Sequence, residues 1–238
     1  MGLARKRVAT EQDVSDPAAH PRSASAQATL LLTLKGVRSS VLRLPPTVHG
    51  EGDPGFIAAL IGIARNQGVS GYISDGSNRW PAVHRLDAAQ LFRLALEQAP
   101  AGSTLYGVTD EGVPVRALAE VIGRHLNLPV VSVSPNAAGG HLGWLARFLA
   151  ADIPALSALT RTLLGWQPTC LGLIDDLERG PISKLLSHDS ERNGSSGLGR
   201  RLAVKSCLHS GPGTPHTPRP AWLAWKSANS SRMKSRAG

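Results

Sequence analysis

Apolar residues recur every three or four positions in long stretches of this chain, separated by short apolar runs framed by glycine and proline. Ala24, Ala28, Leu31 and Leu34 share one helical face, which predicts a helix over 23–35 with Gly36 just past its end. Residues 37–44 read as a strand stopped by Pro45-Pro46, since proline cannot donate to a ladder. Asp53-Pro54 looks like a helix start, and Phe56, Leu60, Ile63 and Ala64 follow at helical spacing up to Gly68. A strand over 69–74, a turn at 75–78, a helix over 86–98 and a strand over 105–109 come next. Val115, Leu118, Ala119 and Ile122 mark a helix over 114–126, and residues 129–133 a fourth strand. Residues 135–150 and 154–164 read as helices broken at Asp152-Ile-Pro154, and 171–179 as a last short helix. Helices alternate with strands, so the pattern predicts an α/β fold.

The periodicity covers only part of the 238 residues. Residues 1–21 are polar and without period, and read as an irregular N-terminal segment. After Gly180 the chain turns to Ser, Gly, Pro, Arg and Lys, a composition that buries too little apolar surface to offset chain entropy. Residues 181–238 are therefore expected to be a disordered basic tail. Charge sharpens this division. The first 180 residues carry 16 Lys+Arg against 15 Asp+Glu, and the last 58 carry 10 against 2. The high pI thus belongs to the tail, where it predicts weak, salt-sensitive attraction to nucleic acid and no specific nucleic-acid partner. Trp222 and Trp225 in that tail are read as having no specific role.

Cys170 and Cys207 stand 37 residues apart with no Cys/His spacing around them, so neither a disulfide framework nor a metal site is expected. Free thiols, no apolar run long enough for a membrane span and no apolar segment behind the basic start predict a cytoplasmic protein.

Three segments narrow the reading: Arg43-Leu-Pro-Pro-Thr-Val-His-Gly50, Arg79-Trp-Pro-Ala-Val-His-Arg-Leu-Asp87 and Leu164-Gly-Trp-Gln-Pro168. In this order and spacing they resemble the C-terminal half of the NAD(P)-dependent epimerase/dehydratase family, the extended or atypical short-chain dehydrogenases. The resemblance spans about residues 37–180. It implies a partial Rossmann-like NAD(P)-binding fold, a domain over 22–180, NAD or NADP as cofactor and a small-molecule substrate. By the same resemblance Pro45, Pro46, Thr47 and Val48 lie against the nicotinamide, and His49, Arg79, Trp80 and His84 face the substrate. Arg79 and Trp80 suit a polar or phosphorylated ligand, pairing a planar fork with an amphipathic ring. The family's counterparts of His84 and Asp87 are mainly structural. Histidines at strand ends are usually satisfied core groups, so His49, His84 and Asp87 are not read as a metal triad.

Two features of the family are missing. No Gly-x-x-Gly-x-x-Gly loop precedes residue 37, where too few residues remain for a nucleotide-binding half. The Tyr-x-x-x-Lys pair is absent too, the first tyrosine being Tyr72. The resemblance therefore names a family without assigning an activity. The favoured expectation is a truncated oxidoreductase without a complete cofactor site, prone to self-association through an exposed sheet edge. The alternative is a non-enzymatic remnant that binds a partner through its basic tail.

Overall fold

The computed structural model describes residues 7–14 and 21–179. The expected disorder of 181–238 lies outside the described residues.

Helix α1 (Pro21–Leu31) tightens into a 3-10 turn over Leu32–Lys35 and is closed by Gly36 at φ +76°. Only glycine takes that left-handed step without a Cβ penalty, as the sequence indicated. The chain then forms β1 (Ser40–Arg43), which lies parallel to β5 (Ser103–Tyr106). Neither strand continues. Pro45-Pro46 ends β1, and the chain re-enters as β2 (Thr47–His49). Likewise β5 breaks at Gly107, where an added Cβ would sit 2.9 Å from Leu44, and resumes as β6 (Asp110–Pro114).

Both continuations join β4 (Arg79–His84), β2 in parallel with His49 opposite His84, β6 antiparallel with a bulge between Trp80 and Ala82. A further parallel pair joins β3 (Ser70–Ile73) to β7 (Val130–Val133). The described strands thus form three small sheets.

The helices cover these sheets. They are α2 (Phe56–Gln67), α3 (Arg85–Gln98), α4 (Val115–Leu126), the short α5 (Ala138–Leu142) and α6 (Ala146–Leu149), α7 (Ala158–Leu164) and α8 (Leu173–Arg179). Successive β4 residues feed opposite cores, as the period of a strand requires. Trp80 and Ala82 join a cluster with Ile57, Leu118, Leu145, Leu173 and Leu177, while Val83 joins Leu91, Leu105, Leu164 and Trp166.

Several expectations change in detail. Thr47–His49 is a strand and not part of a loop. The helix after Asp53-Pro54 begins at Phe56 with Gly55 as its cap, and Asp53 instead accepts the Gly55 N–H at 2.8 Å in a local turn. The expected helix over 135–150 is three short pieces, divided at Gly143 with φ +56°. Part of the irregular N-terminal segment is fixed in place: Ala9 bridges Ala155, and Glu11 accepts hydrogen bonds from the N–H and hydroxyl of Thr160, both at 2.8 Å.

Candidate functional site

The carboxyl ends of β1 and β5 lie side by side, because the strands are parallel and in register from Ser40–Ser103 to Arg43–Tyr106. In open α/β sheets this end is where ligands bind. Arg43 donates to the Tyr106 hydroxyl at 3.2 Å, and burial pushes that phenol above its ordinary range. Pro45–Val48 leave from the same end. Pro45 and Thr47 are buried, and Pro46 and Val48 are half-buried. Val48 packs with the Val83 cluster, and Pro46 stays partly open to solvent.

The expected substrate-side residues separate into two groups. His49 and His84 come together, their rings meeting edge to face with centroids 5.3 Å apart. His49 is fully buried, and its Nδ1 lies 2.8 Å from Asp176 Oδ2 on α8. His84 caps α3, its Nδ1 accepting the Leu86 N–H at 3.2 Å. Burial, followed by the neighbouring His49, holds His84 below the usual imidazole range. Both histidines therefore have structural partners, as histidines at strand ends usually do.

Arg79 and Trp80 lie at the other end of β4. Trp80 is completely buried beneath Phe56, 5.3 Å between ring centroids. Phe56 is flanked by the exposed rings of Trp144 and Phe148. Arg79 is half-exposed, but its guanidinium forks onto Asp152, Nε to Oδ1 at 3.0 Å and Nη2 to Oδ2 at 2.9 Å. The Arg79 N–H adds a third bond to the same carboxylate at 2.8 Å. Arg79 holds Asp152 well below the usual carboxylate range. Trp80 is thus covered by Phe56, and the Arg79 side chain, 41% exposed, is engaged by Asp152.

Asp87 is structural, as expected, and lies in the first turn of α3. Its two oxygens accept the backbone N–H groups of Thr169 and Cys170, at 3.0 and 3.2 Å, so it anchors the loop that follows α7. The Trp166 indole N–H donates to the Asp87 carbonyl at 3.2 Å, fixing the same junction. Nothing in the local sequence marks Asp152, Asp176 or Cys170 as neighbours of the candidate residues. Each lies 70 or more residues away along the chain, and only folding reveals the pairing.

No family model matches the chain. Among curated proteins, an uncharacterised protein of Schizosaccharomyces pombe, C2A9.02, is 52% identical over 157 residues, which are 66% of this chain and 53% of that protein. The uncharacterised protein YLL056C of Saccharomyces cerevisiae is 42% identical over 178 residues, 74% of this chain and 60% of that one. The chain thus spans a little over half the length of the relatives it matches. Among solved structures, the dTDP-glucose 4,6-dehydratase DesIV of Streptomyces venezuelae, with NAD and TYD bound, superposes with a TM-score of 0.60 at 17% identity, over 79% of this chain and 57% of that one. RMD of Pseudomonas aeruginosa, complexed with NADPH, gives 0.53 at 20% identity over 74% and 59%. A UDP-galactose 4-epimerase gives 0.55 at 17% over 77% and 60%. These likenesses show a mixed α/β, Rossmann-like fold resembling that of these dehydratase and epimerase structures. Identities this low carry the architecture and not the chemistry.

Proposed function

We propose that the chain forms the substrate-side part of an NAD(P)-dependent oxidoreductase of the epimerase/dehydratase type, acting on a small polar molecule. The observation that supports this most is the parallel β1–β5 pair, whose carboxyl ends pass directly into the β2–β4–β6 sheet. That arrangement brings Pro45–Val48 to the end of an open α/β sheet where nucleotide cofactors bind. Solved structures of this fold were obtained with NAD and with NADPH. In this reading Pro46 and Val48 touch the nicotinamide side, Thr47 and His49 hold the loop from within, and Arg79 stands at the rim of the substrate pocket. A charged ligand reaches Arg79 by displacing Asp152 from its fork. Trp80 and His84 shape the pocket from beneath. The proton donor is left unassigned, because no Tyr-x-x-x-Lys pair is present.

Calorimetric titration tests the reading. No Gly-x-x-Gly-x-x-Gly loop precedes residue 37 to hold a pyrophosphate at a helix N-terminus, so neither NAD(H) nor NADP(H) should bind measurably to this chain alone. Co-expression with the nucleotide-binding half of a related enzyme should create a cofactor site, weakened by Pro46→Gly and Val48→Asp. Micromolar binding by the chain alone would overturn the division of labour. An added half that creates no site would overturn the oxidoreductase reading.

A further inference from the structure

The loop after α7 brings Cys170 against the start of α3. Its thiol, a carboxylate oxygen of Asp87 and a ring nitrogen of His84 all lie within 4.8 Å of one another. Asp87 and His84 are buried, and Cys170 is partly exposed, which leaves a route in from solvent. We propose that His84, Asp87 and Cys170 form a binding site for a thiophilic divalent cation of the zinc class.

The donor set is the first argument. One sulfur, one imidazole nitrogen and one carboxylate oxygen suit zinc, and three protein ligands leave a fourth position for water. Bond lengths of about 2.0–2.3 Å put tetrahedral ligands about 3.3–3.7 Å apart, which side-chain rotation reaches from the present separations.

Orientation is the second. The Asp87 carboxylate is aimed by the N–H groups of Thr169 and Cys170, one on each oxygen. Each oxygen keeps a further lone pair, and ligating carboxylates are commonly held by hydrogen bonds of this kind. A dication displaces the Cys170 thiol proton, which leaves to solvent as the thiol becomes a thiolate.

His84 adjusts in a defined way. Its Nδ1 accepts the Leu86 N–H, so the neutral ring carries its proton on Nε2. Coordination through either nitrogen gives up the cap bond: at Nδ1 the metal takes the lone pair that accepts the Leu86 N–H, and at Nε2 the proton moves to Nδ1. One weak cap is a small loss against a thiolate, an imidazole and a carboxylate on one dication. His49 stays outside the set, its Nδ1 engaged by Asp176. The site does not depend on the oxidoreductase reading.

Cobalt(II), added to the full reduced chain, is the probe. A thiolate-to-cobalt charge-transfer band should rise to one equivalent, persist in Cys207→Ser and vanish in Cys170→Ser. Affinity should fall at least about 30-fold in that variant. A second measurement needs no variant: zinc should slow alkylation of Cys170 at least about tenfold, as a thiolate held by metal is no longer nucleophilic, and leave Cys207 unchanged. No band, a band that survives in Cys170→Ser, or alkylation of Cys170 at the same rate with and without zinc would overturn the proposal.

Discussion

Asp176 bonds His49 through one carboxylate oxygen, and both groups are closed to water. Its other oxygen and His49 Nε2 have no hydrogen-bond partner among the described residues. Removing the carboxylate leaves a buried imidazole unpaired, and such losses cost about 2–3 kcal/mol. Asp176→Ala should therefore lower stability by that amount in urea unfolding, with Asp176→Asn closer to wild type. A change below about 0.5 kcal/mol would show that the pair contributes nothing net.

The Arg79–Asp152 fork differs in kind, since both side chains are over a third exposed. Exposed pairs are worth about 0–1 kcal/mol, so Arg79→Ala should cost little. Asp152→Ala should cost more, because it also releases the Arg79 N–H. The folded-state pKa of Asp152 is lowered, so its contribution is present at neutral pH and is lost as pH falls through that lowered value. Melting temperatures of wild type and Asp152→Asn should converge below the ordinary carboxylate range. A gap that persists there would rule out the charge as the cause.

At the scale of elements, the turn after β3 sets the start of α4. Gly76 has φ +67°, and an added Cβ would lie 2.6 Å from Arg116 Cβ and 2.7 Å from the Tyr72 ring. The Gly76 carbonyl accepts the Arg116 N–H at 3.0 Å, and the Asn78 carbonyl accepts that of Val115 at 2.9 Å. Gly76→Ala combines left-handed strain with overpacking and should cost about 2–4 kcal/mol in thermal unfolding. Loss of less than about 1 kcal/mol would mean that the turn relaxes freely.

The same elements show how far the sequence could be read. Helices with a full apolar face, such as α2, α3 and α4, are visible because their period is local. Gly36 and Gly68 mark helix ends for the same reason, both adopting positive φ. Strands β2 and β6 were missed. The first has three residues, and the second, Asp-Glu-Gly-Val-Pro, carries almost no apolar signal. What makes them strands is β4 between them, and strand pairing is not written in local composition. The candidate site was legible as a set of residue types, but not the partners that occupy them. Arg79 and His49 stand out in the sequence, whereas Asp152 and Asp176 look like ordinary helix-end acids.

For the molecule as a whole, several large apolar side chains face outward. Leu34 is 83% exposed after α1, and Leu96 is 74% exposed on α3. Apolar surface left in water favours association. Sedimentation of the full chain should show concentration-dependent self-association, and Leu34→Lys with Leu96→Lys should reduce it without lowering the melting temperature. Equal association of the double variant would place the sticky surface elsewhere, the free edge of β1 being the next candidate.

The His49–Asp176 bond ties together residues 127 positions apart. Leu173 and Leu177 of α8 close the same core that β4 enters through Trp80 and Ala82. A seven-residue helix has little stability alone, so α8 forms only on a surface that the earlier strands have already built. Docking of α8 is therefore expected late in folding, where interactions govern the rate of escape from the native state and not the rate of reaching it. Asp176→Ala should unfold faster and refold at nearly the wild-type rate. In that case α8 acts as a time lock: it sets how long the molecule stays folded, while the strands before it set how quickly folding begins.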